Sequence, residues 1–211
     1  MEQCKFLGKW KIWLWILAIP LFTQCGISSF YPLVKEGEGA DIPELVGTWK
    51  SDDGQMQQST WNISHLSDQH YRLEYIEKKK GNRIFCDLMA SKFGNVTWLD
   101  IKPDLDLTSE RTNNKVQNSL LVNSLVVGHL FIRVKKINNN ELEIAELSED
   151  EVKEMNQLLR KSGSSDTLQL LKNSQSSLLI SETALIRKGI ALYSEAKPIA
   201  SNKAFVLKRA K

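Results

Sequence analysis

The chain has 211 residues, 42% of them hydrophobic and 25% charged, which fits one globular domain, with or without an appendage, that needs no covalent staples to bury a core. Its net charge of +3 is largely a leader effect, because residues 1–24 hold Lys5, Lys9 and Lys11 against Glu2; the remaining body lacks the electrostatic footprint of a nucleic-acid binder. The cysteines Cys4, Cys25 and Cys86 are scattered, which excludes a disulfide framework and a metal-ligand spacing.

Residues 1–11 are a basic opening, and the uncharged block "IWLWILAIPLF" follows at 12–22. A membrane-spanning helix needs roughly 20 apolar residues, whereas signal-peptide cores run to about 7–15, so the block has the length of a signal. Pro20 also interrupts a continuous helix. Cys25-Gly26 comes next, and the stretch resembles the lipobox of bacterial lipoproteins, in which the cysteine takes a diacylglyceryl group before the leader is cleaved. Phe22 and Gln24 stand where such boxes favour leucine and a small residue. The resemblance implies a signal peptide over 1–24 and lipid attachment at Cys25. It also implies a membrane-anchored body in the cell envelope, facing outside the cytoplasm. The alternative is an uncleaved anchor running through Ile27, Phe30 and Tyr31, which leaves the body on the same side. Residues 25–44, rich in Gly, Pro, Ser and acidic side chains without periodicity, read as a tether.

From Leu45 the pattern is that of strands. "LVGTWKS" and "STWNIS" are followed by "HYRLEYIE", where Tyr71, Leu73 and Tyr75 share one face. In "RIFCDLMASKF" the residues Ile84, Cys86, Leu88 and Ala90 alternate likewise, which makes Cys86 a small hydrophobe in a strand. Gly94-Asn95 is a two-residue hairpin signal before "VTWLDI". "PDLDLTSERTNNKV" reads as a loop, and "QNSLLVNSLVV" fits a short helix or a strand equally. "HLFIRVKK" sets Leu130, Ile132 and Val134 against His129, Phe131 and Arg133, and three asparagines turn the chain into "ELEIAEL".

After Leu147 the period becomes helical. Ser148 and Glu151 make a capping box ahead of the stripe Val152, Met155, Leu158 and Leu159. "TLQLLKN" reads as another helical turn and "SLLI" as a short strand. Ser181 is expected to cap a second helix that carries Ile186, Ile190 and Tyr193 on one side, with Pro198 beyond its end. "KAFVLKR" returns to the sheet. The fold class is therefore mainly β with α (α+β) in one domain over 45–211, with strands mostly in 45–147 and helices and closing strands in 148–211. Short turns between successive strands predict an antiparallel meander, and closure into a barrel hides its edges. A twisted half-barrel with helices across one face is the competing architecture.

Gly47-Thr48-Trp49, opening the first strand of the body, resembles the G-x-W of lipocalin and lipocalin-like barrels. In those, the tryptophan plugs one end and a basic residue from a late strand packs on its ring. The resemblance makes Trp49 and Arg209 the plug candidates, with Arg133 second to Arg209. The order "GTW", "VTWLDIKP", "HLFIRV", "LEIAEL" with its helix, "LLISETALIRKGIALY" and "FVLKR" also resembles an uncharacterised bacterial lipoprotein family with a lipocalin-like domain. That family brings no activity to carry over.

Little else carries chemistry. His65, His70 and His129 have no metal spacing, and Ser194-x-x-Lys197 lacks the companion motifs of the serine enzymes it mimics. Asp87 and Asp100 fall on neighbouring strands, where paired carboxylates could meet, and the run Lys78-Lys79-Lys80 reads as a solvated hairpin tip or a contact with anionic lipid. Trp49, Trp61, Tyr71, Tyr75 and Trp98 fall on strands and read first as core; of these, Trp49, Tyr71, Tyr75 and Trp98 would line a ligand cup. The reading that follows is a non-catalytic lipoprotein without metal or cofactor that binds an apolar small molecule or lipid. A filled barrel that binds another envelope protein is the alternative. A hydrolase-like enzyme using Asp100 and His129 comes third, and requires those two side chains within hydrogen-bond reach.

Overall fold

A computed structural model of the chain describes residues 27–51, 58–67, 69–77, 81, 83–112, 128–172, 177–197 and 204–210. In chain order the elements are β1 (Ile27–Ser29), a 3-10 turn (Pro43–Leu45), β2 (Gly47–Ser51), β3 (Ser59–Ser67), β4 (His70–Glu77), β5 (Arg83–Phe93) and β6 (Val96–Pro103). Then come α1 (Leu105–Thr112), β7 (His129–Ile137), β8 (Glu141–Glu146), α2 (Glu149–Lys161), β9 (Leu170–Lys172), β10 (Ser177–Leu179), α3 (Thr183–Ala196) and β11 (Phe205–Arg209).

Eight strands close on themselves in the order β2-β3-β4-β5-β6-β7-β8-β11 and back to β2, every pairing antiparallel. The β6–β7 ladder completes the ring, so the molecule is a closed barrel rather than the half-barrel. Its last strand enters between β8 and β2, as expected. Gly94 takes a left-handed φ of 60° in the two-residue connection between β5 and β6, a conformation open to glycine without steric cost. Register shifts between His65 and Ser67 and between Val134 and Lys136 bend β3 and β7.

Period-two alternation produces two cores. Trp49, Trp61, Tyr71, Leu73, Ile84, Leu88, Leu99, Ile132, Ile144 and Leu207 point inward and pack inside the barrel with Leu45 and Ile42. The opposite faces of β6 and β7 contribute Trp98 and Phe131 to a second core, against Val152, Met155 and Leu159 of α2 and Ile186, Ile190 and Tyr193 of α3. The capping box of α2 is formed: the Ser148 hydroxyl accepts from the Glu151 N–H, and the Glu151 carboxylate accepts from the Ser148 N–H at 2.9 Å.

Four local expectations are corrected. The stretch from Ile27 to Glu44, read as part of a tether, lies against the body. β1 pairs with β7 and in parallel with β10, and Leu33, Val34 and Ile42 are buried, so its apolar residues serve both cores. The loop after Pro103 contains α1, whose Thr108 hydroxyl receives the Phe85 N–H of β5 at 2.9 Å. "TLQLLKN" yields β9, not a helical turn, because Leu170–Lys172 find an antiparallel partner in β10. Ser181 does not cap α3; its hydroxyl accepts the Gln169 N–H at 2.8 Å, and Glu182 occupies the N-cap without a side-chain cap bond. Residues 117–127, Pro198 and Lys78–Lys80 lie outside the described residues.

Candidate functional site

One end of the barrel is shut by residues 39–46. Ala40 N–H donates to the Ala90 carbonyl at 2.7 Å, and Ile42 N–H donates to the Tyr71 hydroxyl at 2.7 Å. That hydroxyl donates in turn to Asp41 at 2.6 Å; burial first, and then this bond, pushes its pKa up to about 12. The 3-10 turn then drops Leu45 into the interior, and its carbonyl receives the Trp49 indole N–H at 2.8 Å. Arg209 lies over the Trp49 ring, 4.2 Å from its centroid, and its guanidinium donates to the carbonyls of Val46 at 2.7 Å and Glu44 at 2.8 Å. Gly47 is needed there twice over: its φ is 144°, and a Cβ on it would stand 2.3 Å from Arg209 Nη1. The geometry that the G-x-W resemblance implies is present, and Arg209 is the basic residue on Trp49.

Arg133, the second candidate for that place, sits on a different tryptophan. It is buried on the outer wall, 5.9 Å from the Trp98 centroid and 5.5 Å from that of Tyr193, and donates to the Lys197 carbonyl. Burial depresses its pKa, with Tyr193 and Glu151 opposing. Tyr193 donates to Glu151 at 3.0 Å, so the capping carboxylate of α2 also ties α2 to α3.

The four aromatic cup candidates therefore separate. Trp49 and Tyr71 hold the plug. Trp98 is outside the barrel, its indole N–H donated to the Ser194 hydroxyl at 3.1 Å. Tyr75 alone faces the other half of the interior, edge-on to Trp61 at 6.1 Å between ring centroids.

In that half the inward positions change character. Beyond Trp49 and Trp61 the next inward residues of β2 and β3 are Ser51 and Ser59, both buried. Beyond Tyr75 comes Glu77, paired with Ser59, and beyond Ile144 comes Glu146, paired with Ile132. Burial raises the Glu146 pKa. It also raises that of Tyr75, with Glu77 and then Glu146 adding to the effect and a nearby Ser59 hydroxyl opposing it. Glu77, Glu146 and the pairing of Trp61 with Tyr75 were the residues to find. Their signal was the same alternation, carried one step further along each strand.

Asp100 and His129 do meet. His129 Nδ1 lies 2.7 Å from one carboxylate oxygen of the buried Asp100, and the other oxygen accepts the N–H groups of Leu33 at 2.7 Å and Val34 at 3.2 Å. The carboxylate thus fastens the N-terminal segment to the barrel wall while orienting the imidazole. Such a pair supplies a base and its positioning group, but by itself no nucleophile.

The other candidates have separate partners. Asp87 pairs with Arg72 at 3.2 Å, its register partner being Lys102 and that of Asp100 being Met89. Lys197 pairs with Glu154, away from Ser194. His65 lies 3.8 Å from Asp41, and among the described residues no group of histidine, cysteine and carboxylate side chains is set to hold a metal. Cys86 is buried, and desolvation pushes its thiol up to about 12, as suits a packing residue. Cys25 lies outside the described residues, and no described helix is long and apolar enough to cross a membrane. No family model matches the chain, and no curated protein and no solved structure matches it.

Proposed function

We propose that this chain is a cell-envelope lipoprotein, held to the membrane by a lipid on Cys25 and facing outside the cytoplasm, whose barrel binds an apolar small molecule or lipid without catalysis. The observation that carries the binding reading is the asymmetry of the barrel. One end is sealed by its own chain, while in the other half the innermost side chains give way to serines, to Glu77 and to Glu146, whose carboxylate burial penalises. Ligand sites in barrels have this form, an apolar wall with a few placed polar groups. The anchoring reading rests on the leader and on its neighbours. Phe30 and Tyr31, within six residues of Cys25, stack edge to face at 5.2 Å and stay exposed, which suits aromatic rings at headgroup depth.

Mass spectrometry on protein extracted gently from its own membrane tests both parts. A denatured mass equal to a chain beginning at Cys25 plus acyl groups is the expected result, and an unmodified full-length mass defeats the lipoprotein reading. The native spectrum should carry added mass that is lost on denaturation. The bulk of Trp49, Trp61 and Tyr71 in the sealed half favours the second reading, a solid barrel binding another envelope protein, and a native mass without ligand would select it.

A further inference from the structure

The strands β1, β10 and β9 form a ledge beside the barrel, outside its closed ring. β1 joins the start of β7 at Ser28 and Ser29, runs parallel to β10, and β10 carries β9 on its far side. Side chains alternate between the two faces of such a sheet. On one face Ile27, Ser29, Ser177 and Leu179 are buried. Ile27 and Leu179 join the helical core there, and Glu149 of α2 accepts from Ser177 and Lys172, which fastens the ledge to the helix. On the opposite face one rung runs through Ser28, Leu178 and Leu171, and its exposure rises away from the barrel, from buried through half-buried to 57%. Phe30, just past β1 and 61% exposed, adds its ring there with Tyr31 edge-on. Five large hydrophobic side chains are exposed among the described residues, and three of them, Phe30, Tyr31 and Leu171, stand on this ledge. Singly scattered apolar residues are ordinary on a surface, whereas a cluster marks a contact.

The covering partner follows from where the chain enters. Cys25 precedes Ile27 by two residues, a reach of about 7 Å when fully extended. From Ile27 onward the backbone is fixed. β1 pairs on both sides, Phe30 N–H donates to the Leu179 carbonyl at 2.9 Å, and the Pro32 carbonyl accepts the Thr183 hydroxyl at 2.8 Å. Leu33 N–H then donates to the Asp100 carboxylate at 2.7 Å. An anchor at Cys25 therefore has no slack with which to hold the body away from the bilayer, and the first side chains to meet the headgroups are the exposed ones of the ledge. Aromatic rings and leucines are the residues that settle at that depth.

Resting on the anchoring reading above, we propose that this ledge is a membrane-docking face: the bilayer covers Phe30, Tyr31 and Leu171 and holds the body in one orientation, with the sealed end of the barrel pointing away. The direction comes from the meander. β3, β5 and β7 run the same way; the ledge sits at the start of β7, whereas the sealing segment bonds to Ala90 near the end of β5. Leu66, near the end of β3, lies four strands around the ring of eight from β7 and is 54% exposed, so it marks the side that stays in water.

The test uses the full chain reconstituted into vesicles of phosphatidylcholine and phosphatidylglycerol. A trace of the phosphatidylcholine carries a diazirine at the glycerol end of one acyl chain, and peptide mass spectrometry locates the adducts after illumination. Leu171 is the decisive position, since it is far from Cys25 in sequence and as exposed as Leu66. Adducts at Phe30, Tyr31 and Leu171 should exceed those at Leu66 about tenfold or more, because docked apolar side chains sit about 5–10 Å into the headgroup boundary. Phe30→Glu, at an exposed position, should cut the Leu171 adducts severalfold while sparing those up to Gly26; undiminished Leu171 adducts overturn the part given to Phe30. Adducts as abundant at Leu66 as at Leu171 overturn the single orientation. Adducts confined to residues up to Gly26 overturn the docking, leave the anchor standing and give the ledge to a protein partner. If no part of the chain is labelled, the docking and the anchoring reading fall together.

Discussion

At the sealed end of the barrel, most polar groups find partners in the same chain, the Arg209 Nε and the Trp61 N–H apart. The Trp49 N–H goes to Leu45, the Tyr71 hydroxyl to Asp41, and the Arg209 fork to two carbonyls, all within one short segment. Toward the other end, Glu146 is desolvated. The two halves share one cylinder and one apolar wall, so the difference is not imposed by the fold. It teaches that stability is concentrated where the chain closes on itself, and that the far half carries a carboxylate, Glu146, whose burial costs.

That contrast can be broken most forcefully at Trp49. Trp49→Ala removes a fully buried ring together with its contact to Arg209 and its bond to Leu45, and should cost about 3–5 kcal/mol in urea denaturation. A loss under about 1 kcal/mol would mean that the plug does not carry the barrel. Gly47→Ala should come next, at about 2 kcal/mol, because a side chain there is strained at φ 144° and collides with Arg209. Part of that cost is the collision, so in an Arg209→Ala background the same substitution should cost about 1 kcal/mol less. Strict additivity of the two substitutions would show that glycine is required by backbone angle alone.

Those residues could be read from the sequence because the plug is local. Gly47 and Trp49 are two positions apart on one strand, and Arg209, which the G-x-W resemblance pointed to, lies in the last described strand, opposite Trp49 in the ladder. Strand faces were legible for the same reason: Leu130, Ile132 and Val134 do face the interior, and His129, Phe131 and Arg133 the outer wall. What alternation could not tell was which face of a strand is inside. Trp98 shares a sheet with Tyr75 yet packs under α3, because the helices give the barrel a second buried surface. The N-terminal segment misled because it is rich in turn residues, and its buried Leu33, Val34 and Ile42 are too far apart to show a period. Its attachment depends on Asp100, 66 residues or more away, through bonds to backbone groups that no side-chain pattern records. Glu77 and Glu146 were passed over because a charge at a strand end is ordinarily solvated. Only the register shows that each continues an inward face.

The smallest effect sharpens the comparison from the other half. Burial raises the pKa of Glu146 above its ordinary value of 4.5, so the folded chain binds that proton more tightly than the unfolded chain does. Its contribution to stability is therefore complete below the ordinary value and is lost as pH rises through the raised one. Glu146→Gln should match the wild type in melting temperature at low pH and exceed it above that window, with Glu77 and Tyr75, which share the site, present in both chains. Parallel curves would place Glu146 in water.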